Sequence, residues 1–150
     1  MKSFNMTTPK NAASIPDLID RVNGLFARIP DDVIALLGRI SMGAIFWLSG
    51  QTKVTGFSLS ENALELFRED YKLPFVDPIV AATLAAIAEH VFPVLLIVGL
   101  ATRFSAAALL GMTLVIQLLV YPGAWPTHGV WASVLLFLIA AVQDLFHSII

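Results

Sequence analysis

Apolar residues dominate 79–100, 104–121 and 129–146, and each run can cross ~30 Å of hydrocarbon at ~1.5 Å per residue in a helix. A fourth stretch, 33–50, joins them if Arg39 is accommodated. The apolar positions are consecutive rather than alternating, which favours helices over the strands of a membrane barrel. Two connections, 101–103 and 122–128, are short, so consecutive spans must be antiparallel neighbours. The pattern predicts an all-α, membrane-embedded antiparallel four-helix bundle over 33–147, with no room for a second domain.

The arm before it, 1–32, follows a different rhythm. Ile15, Leu18, Ile19, Val22, Leu25, Phe26 and Ile29 share one helical face, and Asp17, Asp20, Arg21, Asn23 and Arg28 share the other. Ser14 with Asp17 reads as a capping box, Pro16 suits a first turn and Pro30 ends the pattern, giving an amphipathic helix over 15–29. It is too short to span and is expected to lie in the membrane interface. The plain alternative is a soluble arm packed on a partner. The long connection, 51–78, repeats Leu59, Ala63, Leu66 and Phe67 at helical spacing, with Ser58 and Glu61 at its start and Pro74 beyond its end. A short helix capping the bundle is expected there.

Composition sharpens the membrane reading. The chain is 57% hydrophobic and only 13% charged, and 79–150 holds three formal charges, Glu89, Arg103 and Asp144. A net charge of −2 without a basic patch argues against nucleic acid as a partner. With no cysteine there can be no disulfide, iron–sulfur cluster or thiolate metal site, so any redox role needs a cofactor or partner. The first 32 residues are too polar for a signal peptide, which leaves the first span as its own insertion signal. Lys2, Lys10, Arg21, Arg28 and Arg103 fall on one side of a four-span chain and Lys53, Arg68 and Lys72 on the other, which places both termini in the cytoplasm. Trp47, Tyr121, Trp125 and Trp131 would then form an aromatic belt at the outer interface.

Glu89 and His90 fall at the centre of the second span, the costliest depth for either. A carboxylate there must be protonated, paired or hydrated. By depth, Arg39 is the expected partner: it lies ~9 Å from the cytoplasmic edge and Glu89 ~16 Å from it. Pro93 removes the donor for the carbonyl of Glu89 and is expected to open that turn toward the bundle interior. The competing reading is a buried ion pair that only fixes helix register, and His90 taken alone is more simply a satisfied core histidine. Ala81 with Ala85, Ala82 with Ala86 and Ala107 with Gly111 suit close helix contacts, and Gln117 suits a hydrogen bond across the bundle. Asp144 and His147 share a face near the end of the fourth span. No metal set, nucleophile with its base, or nucleotide fingerprint is present in the sequence.

The order of these pieces carries a resemblance. An arginine-bearing first span running into FWLSGQTKV (46–54), then KLPF (72–75), then a span with a central glutamate closing on IVGLATRF (97–104), resembles the DoxX family of small four-helix bacterial membrane proteins. The resemblance covers about 36–145 and rests most on Gly50 with Lys53, on Glu89, and on 99–103. It implies that Arg39, Lys53, Glu89 and Arg103 form the polar signature, and that the chain sits in a bacterial inner membrane. His90 and the amphipathic helix lie outside that pattern. Relatives include a subunit of a thiosulfate:quinone oxidoreductase, partners of secreted redox enzymes and eukaryotic proteins assisting receptor assembly, so no single activity is implied. Three functions stay open: an accessory subunit or anchor binding a quinone-like apolar molecule for a redox partner, a non-enzymatic assembly protein, and a small proton-linked transporter. Expected partners are the lipid bilayer, a membrane or secreted redox protein, and further copies of the chain in a homo-oligomer.

Overall fold

The computed structural model describes residues 14–141. It comprises two units, Met1–Asp31 and Asp32–Ile150. In the first, helix α1 (Ile15–Phe26) starts at the expected capping box, where Ser14 and Asp17 bond each other's backbone reciprocally. None of its residues is buried, and its apolar face is presented whole. It stops three residues short of the expected end, in a turn over 27–29.

The second unit is the helical bundle. Helix α2 (Asp31–Thr52) is followed by a hairpin, β1 (Val54–Thr55) with β2 (Ser58–Leu59), and by α3 (Glu61–Leu66) continued as a π-helical turn over Phe67–Tyr71. Then come α4 (Pro78–Val98), α5 (Thr102–Val115) extended by a π-helical turn Ile116–Val120, and α6 (Trp125–Ala141). Four segments are long and apolar enough to span: Asp31–Thr52, Pro78–Val98, Thr102–Val120 and Pro122–Ala140. The last begins seven residues before expectation. Pro122 and Pro126 occupy the first turns of helix, where a missing N–H costs nothing, so they start this span rather than delay it. Residues 142–146 of the expected fourth span lie outside the described residues, as do Asp144 and His147.

The cap differs from expectation in its details. Ser60, not Ser58, is the N-cap of α3 and accepts from the N–H of Ala63, because Ser58 is used in the hairpin. Pro93 does not interrupt α4, which is helical on both sides of it.

The main core joins Ala35, Met42 and Phe46 of α2, Leu96 of α4, Ala106 and Leu109 of α5, and Leu135 and Leu138 of α6. A second cluster sets Phe67 of the cap on Ala81 and Ala82 of α4. The small residues of α4 therefore receive the cap's aromatic rings rather than another spanning helix.

One packing fact organises the rest. A Cβ on Gly50 would stand 2.9 Å from the His90 ring and 3.1 Å from Cβ of Glu89, and one on Gly43 would strike Ile97. Side-chain-free positions on α2 thus let its backbone lie directly on α4. The register brings the end of α2 only to the middle of α4. The first eleven residues of α4, ~16 Å of helix, have the hairpin and α3 beside them instead. Trp47 consequently packs edge-on against His90, at 5.1 Å, and Trp131 against Phe46, at 5.9 Å. Of the expected aromatic belt, Trp47, Tyr121 and Trp125 are exposed and Trp131 is partly buried.

Candidate functional site

The end of α2 is tied down before its polar side chains are placed. Lys53 N–H donates to Gly50 O at 2.9 Å, Ser60 N–H to Lys53 O at 2.9 Å, and the Ser60 hydroxyl to Thr52 O at 3.1 Å. With its backbone clamped between helix and hairpin, Lys53 turns its side chain back into the bundle. Its Nζ donates to Ser49 Oγ at 3.1 Å and lies 2.7 Å from Glu89 Oε2. The two side chains are 5% and 1% exposed, so each charge is compensated almost wholly by the other. The ammonium approaches Oε2 off the direction of a well-aligned hydrogen bond, which makes the contact chiefly one of charge.

His90 follows Glu89 but engages different groups. Its Nδ1 is 2.6 Å from the carbonyl of Ala86, which fixes the ring proton on Nδ1. Its Nε2, 2.8 Å from Gln51 Nε2, then accepts from the amide. Both nitrogens are satisfied, and Trp47 covers a ring edge.

Arg39 is not the partner of Glu89. The α2–α4 register sets Arg39 beside Gly99, at the far end of α4, where a Cβ on the glycine would collide with its Nη1. Depth counting assumed that both spans begin and end at the same planes, and the stagger removes that assumption. Arg103 is exposed in the first turn of α5. Of the expected polar signature, Lys53 and Glu89 come together, with His90 beside them, while Arg39 and Arg103 lie at the opposite end.

Against the other flank of Glu89, α4, α5 and the cap enclose a groove of about 400 Å³. Phe67, Leu84, Met112 and Ile116 contribute to its walls, and Tyr71 and Glu89 are its only polar lining side chains. Tyr71 stacks on Phe67, with ring centres 4.3 Å apart. Burial, and then the nearby charge of Glu89, push its phenol up from 10 to about 12. His90 does not line the groove. A molecule lodged there meets an almost wholly apolar cleft, with Glu89 and Tyr71 in its lining.

A second polar pair was not foreseen in full. Gln117 does bond across the bundle: it accepts from His128 Nδ1 at 2.7 Å and donates to the carbonyl of Pro122 at 2.7 Å. His128 carries no such signal in the sequence, because 122–128 reads there as a loop. Among the described residues no group of His, Asp and Glu could hold a metal.

The profile of the DoxX family matches residues 34–122. The chain belongs to the DoxX family. The DoxX match takes in α2, the hairpin, the cap, α4 and α5, and so includes Lys53, Glu89 and every residue lining the groove. Helix α1 and the whole of α6, His128 included, fall outside it. No curated protein and no solved structure matches the chain.

Proposed function

We propose that this DoxX protein is an accessory or anchor subunit of a bacterial inner membrane. On this reading both termini are cytoplasmic, and the groove between α4, α5 and the cap binds a small apolar, quinone-like molecule in support of a redox partner. The observation that carries it is an apolar cleft of about 400 Å³ that has Glu89 and Tyr71 among its lining residues. Bundle clefts of this size with few polar groups suit small hydrophobic ligands. The absence of cysteine means that electrons would have to reside on the ligand or the partner. The cation paired with Glu89 is Lys53, the residue that follows α2, so the pair also ties this part of α4 to the end of the first span.

Binding of a short-chain benzoquinone and of its hydroquinone to the full chain in detergent tests this. Gly111 lines the groove and has open space where a side chain would start, so Gly111→Phe should fill the cleft and abolish binding. Binding that survives Gly111→Phe unchanged would place the ligand elsewhere.

A second reading, as an assembly protein, is favoured by one observation. Phe57 at the hairpin tip and Phe75 beyond the cap helix are fully exposed, and both lie outside the spans. Isolated phenyl rings on an extramembrane surface suit contact with a partner protein.

A further inference from the structure

Arg39 is left with an unanswered charge. Among the described residues it has no carboxylate within ion-pair distance, and its Nε is buried without a hydrogen-bond partner. An intramembrane arginine in that condition is expensive unless something outside the protein neutralises it.

Its surroundings limit what that can be. The guanidinium rests against Gly99, whose φ of +82° and missing side chain give both the turn and the space. Ala101, also left-handed at φ +51°, offers α5 no side-chain cap, so the positive end of that helix opens at the same turn as the arginine. The site sits at the last residues of α4, the level at which a spanning helix leaves the hydrocarbon. On either side, Leu36 and Ile40 of α2 and Val94 and Val98 of α4 are exposed apolar side chains.

We infer that Arg39 and the α4–α5 turn form a binding site for a phosphate-type anion, the headgroup of an anionic phospholipid or free phosphate. A guanidinium matches phosphate oxygens in two-pronged geometry. The exposed aliphatic residues beside the site would accept an acyl chain. This site is separate from the groove and does not depend on what the groove binds.

The test uses the full chain in detergent, titrated with phosphatidylglycerol, phosphatidylcholine or inorganic phosphate. Lipid retention in native mass spectra and thermal unfolding are read together. Phosphatidylglycerol should be retained in preference to phosphatidylcholine. Arg39→Gln should weaken that retention about tenfold or more, the loss of one charge-assisted pair, while Arg39→Lys retains part of it. Equal stabilisation by inorganic phosphate alone, abolished in Arg39→Gln, would make free phosphate the source of the same chemistry. Should Arg39→Gln unfold, Arg39→Lys still reports, because it keeps the charge but loses the two-pronged geometry. Unchanged phosphatidylglycerol retention in Arg39→Gln overturns the site.

Discussion

Lys53 and Glu89 meet at 2.7 Å at the mid-depth of α4, and Lys53 reaches that depth because α2 ends there. A lysine near a span end ordinarily extends toward water. This one points inward, since the hairpin and α3 occupy the space above it and Ser49 steadies its ammonium.

Removing either charge should therefore be severe. Lys53→Met or Glu89→Leu alone is expected to cost about 3–5 kcal/mol, the penalty for an uncompensated buried charge, and the double variant should recover most of it. Unfolding in mixed detergent measures this. Arg39→Gln should not be coupled to Glu89→Leu in the same cycle, and coupling above ~1 kcal/mol would contradict the observed pairing.

The close approach of α2 to α4 gives a second prediction. Gly50→Ala must displace a His90 ring held by Gln51 and Ala86, at an expected cost of about 1–3 kcal/mol. Gly111→Ala meets nothing and should be neutral, or stabilising by up to ~1 kcal/mol through helix propensity. Similar melting points for both variants would count against the α2–α4 register.

Tyr71 predicts an alkaline effect. The folded chain holds its phenolic proton to about 12, whereas the unfolded chain releases it near 10. The folded state thus binds more protons between those values, so stability is fully present below pH 10 and declines as pH rises toward 12. In a Tyr121→Phe background Tyr71 is the one remaining tyrosine, and its ultraviolet absorbance titration should be displaced upward. A midpoint near 10 in the folded protein would show that the phenol is not buried.

Membrane orientation is tested by labelling. Cysteines introduced at Asn11 and Glu61 should react from opposite sides of intact spheroplasts, as the distribution of Lys and Arg requires for cytoplasmic termini. Reaction of both from the same side would remove the four-span arrangement.

What the sequence determined by itself is what depends on neighbours along the chain. Four apolar runs, the Ser14–Asp17 capping box and the helical periodicity of α1 are local signals, and the structure shows each of them. The polar residues that matter were also visible, because a glutamate in the centre of an apolar run needs a partner whatever the fold. Which cation would answer it was not visible. Equal span depths favoured Arg39, whereas the packing of Gly43 and Gly50 on α4 slid α2 by about half of α4's length and brought in Lys53. The groove is likewise a tertiary product: its walls come from α4, α5 and a cap whose rings pack on Ala81 and Ala82, residues that sequence spacing assigned to helix pairing. Hydropathy sets how deep a segment can lie, but register is set by which surfaces interlock, and those surfaces come from residues distant in the chain.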